Sequence, residues 1–157
     1  MSILIPLANA VVQELQEPVA ISEIAFTEFS QRFTVKRTYN TEQKLEDGGL
    51  LQLFVVPGRS PLELSSRSGL QSNRDIAVFV RQKLNVDDTE KVDALVNFLE
   101  EVNQYFVRLP GAKLTYFQPD AHYLQSEITP FFPARLRSQR EYLGVIVVTF
   151  RVYEDEP

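Results

Sequence analysis

One amphipathic segment, residues 89–107, constrains the fold more than any other part of the chain. Its apolar side chains recur every three to four residues, which is the period of an α-helix. Asp87 and Glu90 resemble a capping box and place negative charge at the positive end of the helix dipole. Burying a large apolar side chain contributes about 1.5–3 kcal/mol, so this helix is expected to be the main cover of a sheet. The stripe comprises Val92, Leu95, Val96, Leu99, Val102 and Phe106, flanked by Phe98 and Tyr105.

Several other segments have the patterns of strands that such a helix could cover. Residues 142–153 are apolar on both faces and predict a strand inside the sheet. Residues 26–39 end in a strict alternation of the kind found in half-buried strands. The pattern therefore predicts an α+β fold, a mainly antiparallel sheet of about four to five strands with two helices on one face. The remaining predicted elements are strands at 50–56 and 75–80, a short strand at 113–117, and a first helix at 6–16 that Pro18 ends.

Three stretches between these elements, residues 40–49, 58–73 and 118–140, are predicted to be long exposed loops. They are rich in turn-forming and charged residues. The chain has 157 residues and neither an internal repeat nor a low-complexity segment. We therefore expect one domain over residues 1–157.

The residue types needed for catalysis are scarce. The chain has no cysteine, which excludes disulfides and thiolate metal sites, and it has one histidine. Neither a phosphate-binding glycine loop nor a serine-nucleophile elbow is present. We expect no enzymatic activity and no cofactor. The competing hypothesis is a hydrolase that uses His122 as general base with Asp120 as its orienting acid.

An acidic group at the start of the long helix has the composition of a cation site but not its spacing. Asp87, Asp88, Glu90 and Asp93 lack the spacing and the glycine of a calcium loop. Helix capping and a solvated acidic face explain them. No apolar run is long enough to cross a bilayer and no signal peptide is recognised, so we expect synthesis in the cytoplasm.

Charge is segregated along the chain. Residues 86–101 carry six acids and one lysine, whereas residues 58–74 and 128–140 are basic. Interleaved arginines and aromatics at 131–140 suit a protein interface, single-stranded nucleic acid, or a plain basic connection between strands. The net charge of −5 favours the protein interface over nucleic acid. Separate patches of opposite sign are what a head-to-tail ring contact uses.

Local sequence and element order together resemble small neck and tail-completion proteins of tailed bacteriophages, most nearly the tail terminator family. The centre of the resemblance is 75–80 (DIAVFV) followed by 92–102 (VDALVNFLEEV). The opening 6–12 (PLANAVV), the strand 33–39 (FTVKRTY) and 45–47 (LED) add to it. The similarity covers about the first two thirds of the chain, as read from these segments.

The resemblance implies a structural virion protein, made in the host cytoplasm, that forms a hexameric ring on the last ring of the tail tube. Its implied partners are further copies of itself, the tail tube protein and the head-side connector or stopper. DNA passes through the lumen without specific binding, and a mildly acidic chain suits that lumen. By this analogy the loops hold the contacts. The predicted interface residues are Arg59, Arg67, Arg135, Arg137 and Arg140, with Glu46 and Asp47 as acidic partners.

Two alternatives to the terminator remain open at this level. The first is another head–tail connector, a stopper or a minor tail protein, because these share the size and acidity of a terminator. The second is a nucleic-acid-binding accessory domain that uses the arginines of residues 131–140.

Overall fold

The computed structural model describes residues 4–17, 33–39, 51–58, 62–64, 70–84, 88–117 and 120–154. Within these ranges it contains three α-helices and six strands, with a short 3-10 turn after the second helix. In chain order they are α1 (Leu4–Gln16), β1 (Phe33–Arg37), β2 (Leu51–Pro57), β3 (Leu62–Leu64), β4 (Leu70–Lys83), α2 (Thr89–Val107), the 3-10 turn (Pro110–Ala112), β5 (Ala121–Thr129), α3 (Pro133–Gln139) and β6 (Glu141–Glu154).

The strands form one mostly antiparallel sheet in the order β1-β2-β4-β6-β5. Its centre is the pairing of β4 with β6, which runs without interruption from Leu70–Glu154 to Lys83–Glu141. β1 lies parallel to β2, and β3 pairs with the first residues of β4 beyond the end of β2. The predicted α+β fold with a mainly antiparallel sheet is confirmed.

Both long helices pack on the same face of the sheet. Alternate residues of the central strands point to that face and are fully buried, as expected from the period of two in a strand. The rings of Phe106 on α2 and Phe150 on β6 meet edge to face at 6.2 Å. The shared cluster includes Leu7, Val11 and Leu15 of α1, Leu95, Leu99 and Phe106 of α2, and Val55, Val78, Ile146 and Phe150 of the sheet.

The predicted long helix forms over the expected residues, but two details of the prediction are wrong. Its N-cap is Asp88, whose Oδ1 accepts a hydrogen bond from Lys91 N at 3.0 Å; Asp87 lies outside the described residues. The buried stripe is also turned toward Phe98 and Tyr105, both completely buried, while Val92 is only half-buried. Phe98 packs edge to face on Phe33 of β1 at 5.5 Å, a contact that sequence period alone does not show.

Two of the predicted loops contain regular structure. Residues 58–73 include β3 and the start of β4, and residues 118–140 include β5 and α3. β3 has only three residues and β5 and the start of β4 are mostly polar, so their local strand character is weak; β3 pairs with β4, and β5 and the start of β4 pair with β6. Conversely, 113–117 forms no strand beyond a single bridge between Lys113 and His122. The predicted loop at 40–49 lies outside the described residues.

Gly144 of β6 lies at a close approach between the sheet and α2. A Cβ atom there would lie 2.6 Å from the Tyr142 hydroxyl and 2.9 Å from Leu99 Cδ2. That hydroxyl donates a hydrogen bond to the carbonyl oxygen of Pro130. Burial raises the pKa of the Tyr142 phenol, and the nearby Glu100 carboxylate raises it further. Moving the hydroxyl away from a larger side chain would break its hydrogen bond to Pro130.

We expect Gly144→Ala to lower the free energy of unfolding by about 1–3 kcal/mol, the usual cost of overpacking a core. Chemical denaturation monitored by circular dichroism measures this loss. In the Tyr142→Phe background the same substitution should cost less, because the nearest clashing atom has been removed. Equal losses in the two backgrounds would show that the phenol is not the obstacle.

Candidate assembly surface

Helix α3 is short and has a defined start and end. Pro133 occupies its first turn, where the missing N–H of proline has no cost. Arg140 follows the helix with φ 51°, in the left-handed region, and turns the chain into β6. The Arg140 carbonyl oxygen accepts a hydrogen bond from Leu84 N at 3.1 Å. This bond anchors the end of α3 to the end of β4.

A buried ion network attaches α3 to the sheet. Glu141 at the start of β6 accepts hydrogen bonds from Arg135 Nε at 2.7 Å and from an Arg81 guanidinium nitrogen at 3.2 Å to each carboxylate oxygen. The side chains of Arg81 and Glu141 are each only 5% exposed. The Arg81 guanidinium also lies 5.6 Å from the centre of the Phe54 ring. α3 therefore has a fixed position against the sheet.

The opposite side of α3 and the adjoining edge strand are exposed. Arg137 and Arg140 are exposed, as are Phe131 (42%) and Leu124 (38%). No described residue forms a salt bridge with either arginine. β5 is the last strand of the sheet, and from Leu124 onward no described strand pairs with its outer side. We call the surface formed by Phe131, Arg137 and Arg140, at the junction of β5 and α3, the β5–α3 edge.

The structure places two of the predicted interface residues, Arg135 and Arg137, on α3 and a third, Arg140, directly after it. Arg137 and Arg140 are available to a partner, whereas Arg135 is engaged by Glu141 and serves to hold the helix. Arg59, Arg67, Glu46 and Asp47 lie outside the described residues, and their proposed role stays a prediction.

Asp120 and His122, the two residues of the competing hydrolase hypothesis, have other neighbours in the structure. Asp120 forms an exposed salt bridge with Lys113 at 3.6 Å. His122 is half-buried in β5 and lies opposite Arg151 of β6. Within the described ranges, no three His, Cys, Asp or Glu side chains are grouped so that they could hold a metal ion.

An open cleft of about 240 Å³ lies where β4, β5 and β6 adjoin. Its lining includes the carboxylates of Asp75 and Glu127 and the hydroxyls of Ser126 and Thr149. Thr149 Oγ1 donates to Asp75 Oδ1 at 2.6 Å, and Ser126 Oγ donates to Asn103 Oδ1 at 2.6 Å. The described lining contains no histidine or lysine to act as a base toward either hydroxyl.

Sequence reasoning missed the buried carboxylate of Glu14. This side chain of α1 is completely buried and accepts hydrogen bonds from Tyr105 Oη at 2.5 Å, Thr115 N at 2.8 Å and Thr115 Oγ1 at 3.2 Å. It thereby connects α1 to α2 and to the segment after the 3-10 turn. A signal was present, because Glu14 is three residues from Val11 and seven from Leu7, on the apolar stripe of the helix.

The comparisons with known proteins concern the fold. No protein-family model matches the chain, and no curated protein matches it. Eleven chains of solved structures do match. One is a chain from the virion of a native gene transfer agent particle, with 18% identity and a TM-score of 0.50. The match covers 94% of this chain and 95% of that one, so the two share their fold over nearly their whole lengths. Among the described helices, none is long and apolar enough to span a membrane.

Proposed function

We propose that this chain is a structural protein of a phage-like virion, and specifically a tail terminator. In this role it forms a hexameric ring that caps the tail tube and joins it to the head-side neck. The observation that carries the proposal is the fold shared end to end with a chain of a gene transfer agent virion.

The surface of the molecule supports an assembly role. Exposed aromatic and arginine side chains, such as those of the β5–α3 edge, are enriched in protein interfaces. The exposed face of α2 carries Asp93 and Glu100, and the whole chain has a net charge of −5. A chain of this sign repels the DNA that passes through a tail. The partners in the proposal are other copies of the chain, the tail tube protein and the head-side connector or stopper.

The experiment is reconstitution with the tail tube protein of the same particle. We expect the purified chain to stop tube growth and to appear by negative-stain imaging as a six-fold ring at one tube end, with a central hole of DNA width. Tubes that lengthen at an unchanged rate, without an end ring, would contradict the terminator role. Binding to the head-side connector in place of the tube would instead identify a connector or stopper.

The second candidate function is that of a nucleic-acid-binding accessory domain, which the exposed arginines of the β5–α3 edge support. Arg137, Arg140 and Phe131 are the residue types that contact phosphates and stack on bases. Retention on single-stranded DNA that falls steeply with salt, and that Arg137→Glu abolishes, would favour this role. We expect no such retention, because the net charge of −5 disfavours binding to nucleic acid.

A further inference from the structure

Helix α2 carries an acidic surface on the side that faces away from the sheet. Asp93, Asn97, Glu100 and Gln104 are all exposed and follow one another at helical spacing. We call them the acidic stripe of α2. The two carboxylates lie seven residues apart, which is about 10 Å along the helix axis. No described residue forms a salt bridge with either of them.

The β5–α3 edge is the complementary surface. It presents two arginines that have no salt bridge in the described part of the chain, close in sequence to the exposed side chain of Phe131. The buried Glu141 network and the Leu84–Arg140 hydrogen bond hold α3 in place. Because its backbone is already fixed, little conformational entropy would be lost there on binding.

The two surfaces lie on different elements of the subunit. α2 packs on one face of the sheet over β6 and β5, whereas α3 contacts the start of β6, through Glu141. A contact between two different patches on identical subunits is heterologous, and it closes into a ring when its rotation allows. We infer that the β5–α3 edge of one copy binds the acidic stripe of α2 in the next copy. This inference rests on the proposed function, for which it supplies the contact between subunits.

A second copy fits this surface better than nucleic acid does. The charge that complements Arg137 and Arg140 is present on every copy of the chain, in the acidic stripe of α2. Phe131 provides apolar area at the same surface, as protein interfaces require.

The test uses charge reversal on each surface of the full-length chain. One variant carries Arg137→Glu and Arg140→Glu, and the other carries Asp93→Arg and Glu100→Arg. We expect each variant alone to raise the protein concentration for half-assembly by about tenfold or more, since like charges then face each other. Native mass spectrometry and negative-stain imaging, alone and on tail tubes, measure the assembly.

The decisive arms are the recombinations. An equimolar mixture of the two variants should assemble again, in rings where they alternate, because every contact then joins opposite charges. One chain that carries all four substitutions should also assemble. Lys36→Glu is the control: it reverses an exposed charge on β1, at the other edge of the sheet, and should leave assembly unchanged.

The possible outcomes separate this inference from the function itself. If the wild type forms rings and both variants do so equally well, the contact is wrong and the terminator role stands. If the variants stay folded by circular dichroism but neither recombination restores the ring, the pairing of these two surfaces is also wrong. If reversal of the two arginines abolishes retention on DNA but leaves assembly unchanged, the β5–α3 edge binds nucleic acid. A wild-type chain that forms no ring, alone or on tubes, overturns both proposals.

Discussion

Glu14→Ala is expected to lower the free energy of unfolding by about 3–5 kcal/mol, because it removes a fully buried acceptor of three hydrogen bonds. Tyr105 is completely buried, so its hydroxyl would lose its partner without gaining water. For a domain of this length the melting temperature should fall by about 6–20 °C. Thermal and urea unfolding followed by circular dichroism measure both quantities.

Three further variants test the reason for this loss. Gln13→Ala removes an exposed side chain from the same helix and should change stability by about 0.5 kcal/mol or less. Glu14→Gln should cost less than Glu14→Ala, because its amide oxygen can accept from Thr115 N and the hydroxyls of Tyr105 and Thr115 can accept from its amide nitrogen. Tyr105→Phe should show strong coupling with Glu14→Ala in a double-mutant cycle. Additive losses would mean that the hydrogen bond contributes little.

Glu141→Ala is expected to cost about 3–5 kcal/mol, because it leaves buried arginine charge without its carboxylate. Arg81 and Arg135 both donate to Glu141, and the Arg81 side chain is only 5% exposed. Loss of the carboxylate also releases α3 from the sheet. Trypsin should therefore cleave at Arg135 and Arg137 faster than in the wild type, at a temperature where both proteins are folded.

The control for this network is the exposed salt bridge between Lys113 and Asp120. Asp120→Asn should change stability by about 1 kcal/mol or less, since both side chains are half exposed. Arg135→Gln should cost less than Glu141→Ala but should increase cleavage at Arg137 to a similar extent. If Glu141→Ala unfolds at the wild-type urea concentration and α3 stays protected, the network does not position α3.

This network links stability to the proposed assembly. Glu141, Arg81 and Arg135 do not reach the outer surface of α3, but they determine where Arg137 and Arg140 are presented. A variant such as Arg135→Gln should thus weaken ring formation without altering any residue of the contact. Rigid placement of an interface element reduces the entropy lost on association.

Much of the fold follows from local pattern. The helix at Thr89–Val107 was predicted to the residue, because a 19-residue amphipathic segment has a clear period and an acidic first turn. The central strand β6 was equally clear, since a run rich in β-branched and aromatic residues, with few polar interruptions, is typical of a strand buried on both faces. These two elements, with β2 and the core of β4, were sufficient to assign the α+β class.

The sequence by itself thus determined the elements that bury their own apolar residues, and also where charge is concentrated. Only the tertiary structure decided the short or polar parts: β3, β5, the first residues of β4, and the placement of α3. Their local pattern is weak, and their conformation depends on hydrogen bonds and ion pairs with residues far along the chain. For the same reason, only the structure distinguished Arg135, held by Glu141, from the exposed Arg137 and Arg140. The three side chains are chemically identical. They differ because Arg135 is partly buried beside the Glu141 carboxylate, whereas Arg137 and Arg140 are exposed.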